Sequence, residues 1–297
     1  MYFQTTIGAS AKFAGVGLHS GTPVHLTVSP AAPDSGIRFF ITLPDSDGPV
    51  MVPARADRVT ATAYATTLQQ GDLTVHTVEH LLAALAGLGI DNADLHMDGP
   101  EVPIMDGSAA PFVHGLLKAG IVTLEAPRQV IRIRRPIRVE EGDKWIEVTP
   151  HEVPGTLVDY DIDFEHHAVG CQNVRFMLSP ELFVGEVSAA RTFGFANEVA
   201  AMRQVGLARG GSLENAVVID DDGVMNPEGL RFEDEQVRHK VLDLIGDMAL
   251  VGHPVWGRIG AYRSGHGLHT ALAKAILDTP DAWELVDAAP HALQVAV

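Results

Sequence analysis

Residues 232–252 read Phe232-Glu233-Asp234-Glu235-Gln236-Val237-Arg238-His239-Lys240-Val241-Leu242-Asp243-Leu244-Ile245-Gly246-Asp247-Met248-Ala249-Leu250-Val251-Gly252. The spacing predicts one amphipathic helix. Val237, Val241, Leu244, Ile245 and Met248 recur with helical period and form an apolar stripe. Glu233, Asp234 and Glu235 fall in the first turn, where the helix dipole favours negative charge, and Gly252 is a natural stop. On another face His239, Asp243 and Asp247 follow at i, i+4 and i+8 and line up as a ridge. An imidazole and a carboxylate one turn apart are how a helix offers two ligands to one metal ion. Lys240 beside them is out of place at a metal unless an anionic group is also held there. The competing reading is a solvated polar face with helix ion pairs, and a third ligand elsewhere would decide between the two.

The chain around this helix has 297 residues, 46% of them hydrophobic, which is enough for a large core and suggests two domains. A net charge of −17 disfavours nucleic acid as a partner. A single cysteine, Cys171, excludes an internal disulfide and a thiolate metal cluster, so any metal must use histidine and carboxylate. The first residues lack a basic segment followed by an apolar run, and no apolar stretch is long enough to span a bilayer. A soluble, cytoplasmic, monomeric protein is the expectation.

Gly15-Val16-Gly17-Leu18-His19-Ser20-Gly21 is followed by alternating Val24, Leu26 and Val28, so a strand–turn–strand unit is expected rather than a nucleotide loop. His19 at the turn tip is either a ligand contact or a loop residue. Thr74-Val75-His76-Thr77-Val78-Glu79-His80 then leads into a helix with Leu81, Leu82, Leu85 and Leu88 buried and Thr74 or Thr77 as its cap. His76 to His80 matches H-x-x-E-H, the pattern of some zinc peptidases. If Thr77 is the cap, His76 lies outside the helix and that pattern fails. The weaker reading, one base and one ligand from Glu79-His80, complements the first helix. His80, His239 and Asp243 make three nitrogen and oxygen ligands and leave a position for water, as catalytic zinc requires. The turn-rich run Asp98 to Phe112 predicts a tight buried loop, and Phe112, Val113, Leu116 and Leu117 begin a short helix.

The pattern breaks at Leu124-Glu125-Ala126-Pro127, which places a domain boundary near 126–130, and a strand is expected from Val130 to Val139. Each half then holds strands and one conspicuous helix; the symmetry is in element order, not in letters. Lys144 to Val148 and Leu157 to Phe164 read as strands. In Glu165-His166-His167 the adjacent imidazoles of a strand would point to opposite faces, which argues against a shared metal. Between Phe193 and Asp220 a β-α-β insert is expected, apolar enough to suit a greasy ligand or simply to pack on the core. His266, between Gly265 and Gly267 at the end of a strand, is expected to be exposed and is a candidate general acid. Leu272 to Leu285 reads as a final helix.

Taken together, Thr77-Val78-Glu79-His80, Gly99 to Ala109, Arg191-Thr192-Phe193-Gly194-Phe195, Arg238 to Asp243 and Ser264-Gly265-His266 resemble the zinc-dependent UDP-3-O-acyl-N-acetylglucosamine deacetylases of lipid A synthesis. The motifs cover essentially the whole chain in the same order. The resemblance implies an α+β protein of two similar-topology domains, 1–126 and 130–297, each a sheet layered with helices, with the active site between them. It implies an acyl-chain passage, which the insert near 193–220 fits. It implies that His80, His239 and Asp243 hold Zn²⁺, with Fe²⁺ the alternative. Glu79 would be the general base and His266 the general acid or an electrostatic partner, oriented and charge-balanced by Asp247. Thr192 and the metal would stabilise the oxyanion, with Lys240 beside the site. Lys144, Phe164 and Arg263 match the region handling the nucleotide end, Arg263 standing where Lys is also found. Phe193, Phe195, Gly211 and His19 complete the expected substrate contacts of a UDP-acyl-sugar. His76 lies outside the family pattern, and His167 stands where Pro is common. A reading from another class is a UDP-sugar- or lipid-binding protein with a structural zinc. Such a zinc usually has four protein ligands, and three are found.

Overall fold

In the computed structural model, which describes residues 2–42 and 48–288, two helices lie against each other at the centre. They are Glu79–Leu88 and Glu235–Met248, and each is the crossover of one β-sheet unit. Residue 1, residues 43–47 and the end of the second half, 289–297, lie outside the described residues.

The two main sheets repeat one pattern. In the first, the strands run in the order Ala11–Val16, Pro23–Pro30, Ala93–Met97, Ile37–Ile41, Val50–Pro53, paired antiparallel, antiparallel, parallel, antiparallel. In the second, the order Ile137–Glu141, Lys144–Thr149, Val255–Tyr262, Thr156–Asp163, Cys171–Met177 has the same four pairings. A parallel neighbour requires a crossover. Helix Glu79–Leu88 supplies it between Ile37–Ile41 and Ala93–Met97, and helix Glu235–Met248 between Thr156–Asp163 and Val255–Tyr262. Each unit closes with a further helix, Ala110–Ala119 and His266–Asp278. The symmetry expected from element order is therefore present strand by strand, and the fold is α+β. Gln129–Ile133 and Trp283–Asp287 extend the second sheet.

Helix Glu79–Leu88 is buried on nearly every side, not along a stripe, because it lies inside the core. It ends where Gly89 turns left-handed (φ 74°) and its N–H returns to Leu85 and Ala86. Neither threonine caps its start. The N-cap is Val78, and Thr77 has φ 57° with its hydroxyl donating to Glu101 Oε1 at 3.1 Å. The second helix begins at Glu235, three residues into the stretch read as helix, and after Met248 tightens into a 3₁₀ turn, Ala249–Val251, that stops at Gly252. Glu235 is held by the buried Arg191, whose Nε donates to Glu235 Oε1 at 2.9 Å. The reading of a solvated polar face is wrong: His239, Asp243 and Asp247 are all buried, because that face meets the first helix. Gly246 permits the contact. A Cβ there would sit 2.0 Å from the Glu79 carbonyl oxygen.

Three other expectations change. The strand from 130 to 139 is two strands, Gln129–Ile133 and Ile137–Glu141, separated around Pro136, which has no N–H for a ladder. The last helix runs His266–Asp278, not Leu272 to Leu285. Pro280 follows it, and Trp283–Asp287 pairs antiparallel with Gln129–Ile133. Glu165-His166-His167 lies in a turn rather than a strand, so the two imidazoles stack with centroids 4.8 Å apart. The insert has the expected form. Phe193–Phe195 and Val217–Asp220 pair in parallel around helix Ala196–Gln204, with Gly223–Val224 added at one edge.

Candidate active site

The start of helix Glu79–Leu88 and the middle of helix Glu235–Met248 meet where Gly246 lets the backbones touch. His80, His239 and Asp243 converge there, and one donor atom from each lies within 4.8 Å of the others. Asp243 Oδ1 is 3.3 Å from His239 Nε2 and 3.7 Å from His80 Nε2. His239 donates its other ring nitrogen, Nδ1, to the Ala190 carbonyl at 3.0 Å, which fixes the tautomer with Nε2 free to coordinate. Asp243 Oδ1 is buried without a hydrogen-bond donor. A buried carboxylate oxygen left so is costly unless a cation satisfies it. Burial, with His239 and His266 alongside, drives the His80 pKa down to about 3, so His80 is a neutral, lone-pair-bearing imidazole. Burial opposes ionisation of Asp243, but His239, Lys240, His266 and His80 outweigh it and hold the carboxyl well below its usual range. The donor set fits a divalent ion.

Beside the trio stand an acid and a base. Burial pushes the Glu79 carboxyl up to about 7, with Asp247 and Asp243 adding to the shift against His266. Burial would lower His266, but Asp247, Asp243 and Glu79 raise it to about 9. Nε2 of His266 is 3.9 Å from both Glu79 Oε1 and Asp243 Oδ2. Its Nδ1 donates to Asp247 Oδ2 at 2.8 Å. The expected exposure of His266 is corrected: it is the first residue of helix His266–Asp278 and its side chain is only 10% exposed. Lys240 Nζ donates to Asp243 Oδ2 at 2.9 Å and lies 5.7 Å from the Phe193 ring centre.

These groups open into a cleft of ≈ 650 Å³. Thr192, Lys144, Phe164, Phe193 and Arg263 line it, as do Leu18, Thr62 and Tyr64 from the first half. Thr192 is fixed by its main chain, with N donating to Gly107 O and O accepting from Val217 N, each at 2.8 Å. Arg263 has a left-handed φ of 49° at the strand end and reaches Asp143 Oδ2 at 2.8 Å. Three expected contacts stand one layer back. Phe195 packs on Phe164, with ring centres 5.7 Å apart. Gly211 abuts Leu18. His19 is half-buried, and its main chain is tied to Glu101 Oε1 (N–H, 2.8 Å) and to Arg209 N (C=O, 3.2 Å). His76 lies outside the helix, between the Thr67 and Thr74 hydroxyls at 3.0 and 2.9 Å. His76 and His80 therefore do not share a helix, as the peptidase pattern requires.

Sequence reading missed the residues around Asp247. His269 Nδ1 donates to Asp247 Oδ2 at 3.0 Å, and Thr66 Oγ1 donates to Asp247 Oδ1 at 2.6 Å. His269 Nε2 lies 2.8 Å from the Tyr160 hydroxyl. The i, i+3 spacing of His266 and His269 was a legible signal; Thr66 offered none.

Three nitrogen and oxygen donors with a side open to a cleft, a carboxylate near neutrality and a protonated imidazole define a metal-dependent hydrolase. The model of the UDP-3-O-acyl N-acetylglycosamine deacetylase family matches residues 4–278, and the chain belongs to that family. It is 48% identical over 289 residues to the UDP-3-O-acyl-N-acetylglucosamine deacetylase of Histophilus somni (strain 129Pt), covering 96% of this chain and 93% of that one. The enzyme of the same name from Pasteurella multocida (strain Pm70) is 48% identical over 299 residues, covering 98% and 97%. That of Geobacter sp. (strain M21) is 47% identical over 292 residues, covering 98% and 94%.

Proposed function

We propose that the protein hydrolyses the N-acetyl group of UDP-3-O-(3-hydroxyacyl)-N-acetylglucosamine, releasing acetate and the free amine, in lipid A biosynthesis. The observation that supports this reading is that Glu79 and His266 share one cleft with His80, His239 and Asp243, with His266 Nε2 3.9 Å from both Glu79 Oε1 and Asp243 Oδ2. Zn²⁺, or Fe²⁺ in its place, would be held by His80 Nε2, His239 Nε2 and Asp243 and would supply Lewis acidity and an acidified water. Glu79, buried and titrating near neutrality, takes the proton from the attacking water as the tetrahedral intermediate forms. The Thr192 hydroxyl meets the developing oxyanion; one such donor is typically worth about 3 kcal/mol. His266 enters the reaction protonated and gives its Nε2 proton to the departing amine, and Asp247 keeps the ring aimed. Lys240 adds positive charge beside Asp243.

Lys240 and Arg263 answer the diphosphate despite the acidic total charge, and Lys144 lines the same cleft toward the nucleotide end. Phe164, which lines the same cleft, is assigned to the nucleotide end. Phe193, Phe195 and Gly211 belong to the acyl side with the insert, and His19 to the loop that faces it. The domains are taken as 1–126 and 130–297, the chain as a monomer, and the compartment as the cytoplasm. Among the described residues no helix is long and apolar enough to cross a membrane. The test is mass-spectrometric detection of acetate and free amine from the UDP-acyl-sugar. Both are expected, and both should vanish with a chelator. An intact substrate after prolonged incubation with metal-loaded protein would refute the reading.

A further inference from the structure

Thr66 is fully buried and lies just before the strand Thr67–Gln70, far in sequence from everything it touches in the second half. Its main-chain N–H donates to Glu79 Oε2 at 3.0 Å. Its hydroxyl donates to Asp247 Oδ1 at 2.6 Å, across 181 residues of sequence. The remaining Asp247 oxygen is occupied by His266 Nδ1 and His269 Nδ1. Thr66, beside the small three-stranded sheet of Val59–Ala61, Thr67–Gln70 and Leu73–Val75, is thus one residue of the first half that grips a carboxylate from each half. Its own carbonyl accepts from Val78 N at 3.4 Å, which ties it to the entry of the helix carrying Glu79.

We infer that Thr66 is a positioning residue for the reaction, holding Glu79 through its amide and His266 through its hydroxyl and Asp247. The inference rests on the roles proposed above for Glu79 and His266. The geometry gives the two bonds separate functions. The amide leaves Glu79 Oε1 as the oxygen facing His266. The hydroxyl occupies Asp247 Oδ1, so that Oδ2 alone receives the two imidazoles, and the carboxylate plane is fixed. Without the hydroxyl, Asp247 can rotate, and His266 rotates with it. A purely structural role is the competing explanation. It predicts that any side chain of the right volume suffices, because Thr66 touches no open space.

Thr66→Val keeps the volume and the amide and deletes only the hydroxyl. Thr66→Ser restores the hydroxyl while removing the methyl. The expected result is that Thr66→Val lowers kcat about 10-fold or more, part of the ~10²- to 10⁴-fold that positioned general acid–base groups supply, with KM and metal content near wild type. Thr66→Ser should recover most of kcat. Independently of turnover, the downfield proton of His266 Nδ1–H in NMR should shift or broaden in Thr66→Val and return in Thr66→Ser. The inference is overturned if Thr66→Val keeps wild-type kcat and an unchanged His266 signal. It is also overturned if Thr66→Ser is as impaired as Thr66→Val. If the wild-type protein does not release acetate, the function proposed above fails, while the NMR comparison still decides whether the hydroxyl sets the His266 ring.

Discussion

Two residues of opposite tendency sit 3.9 Å apart at the centre of the site, and burial accounts for only one of them. Glu79 is raised by desolvation. His266 is raised in spite of it, because Asp247, Asp243 and Glu79 surround the ring with negative charge. The base must be ionised, so activity should rise as the pH passes Glu79. The acid must be protonated, so activity should fall as the pH passes His266. A plot of kcat/KM against pH should therefore be a bell, its acidic limb set by a Glu79 carboxyl that burial raises above the usual carboxylate range and its alkaline limb by a His266 ring that Asp247, Asp243 and Glu79 raise above the usual imidazole range, the two titrating as a coupled pair. Asp247→Asn removes the charge that raises His266, so its alkaline limb should move to lower pH. An alkaline limb that stays put would separate it from His266. Substituting Glu79→Ala or His266→Ala should cost turnover about 10²-fold or more. His76→Ala, altering a ring held only by two threonine hydroxyls, should stay near wild type. An active His266→Ala enzyme would remove that residue from the mechanism.

At the scale of elements, the site depends on how closely two crossover helices approach. The Glu79 carbonyl rests where Gly246 has no side chain, and this contact carries His80 to Asp243. Gly246→Ala should force the helices apart. Overpacking of this kind typically costs about 1–3 kcal/mol, which urea unfolding would measure. Deacetylation should fall along with stability, since the ligands separate as the helices do. Unchanged stability and activity in Gly246→Ala would show that the approach is not required. Both helices were legible in the sequence, since the apolar stripe of Val237, Val241, Leu244 and Ile245 and the i, i+4 spacing of His239 and Asp243 are local facts. Their burial was not. The ridge that reads as a polar face is hidden only because a second helix covers it. The same holds for His266, whose neighbouring glycines suggested an open loop but which begins a helix packed on Asp247. The last strand, Trp283–Asp287, was read as helix because its partner, Gln129–Ile133, lies far away in the chain.

For the whole molecule, the repeated strand order explains why the site lies on the interface. Each unit provides one crossover helix: the first brings His80 to the trio and the second brings His239 and Asp243. The metal is therefore expected to report on the joining of the halves without being needed to fold them. Both helices are built into a continuous apolar core that includes Leu81, Leu85, Leu244 and Ile259. Chelation should abolish turnover and leave far-UV circular dichroism and a cooperative thermal transition in place. Only a modest fall in midpoint is expected, from loss of a bound ligand. Unfolding on chelation would instead favour a structural ion. Links such as Thr66 to Asp247, or the loop at His19 to Arg209, join residues of different halves. No periodicity or spacing records them, so sequence reading could not reach them.

X-ray absorption at the metal edge, on protein reconstituted with one equivalent of Zn²⁺, reports directly on whether His80, His239 and Asp243 share one ion. Two imidazole nitrogens at about 2.0–2.1 Å, carboxylate oxygen and at least one water oxygen are expected, with the second imidazole lost in His80→Ala. A fourth protein ligand, or a spectrum indifferent to that substitution, would contradict this coordination.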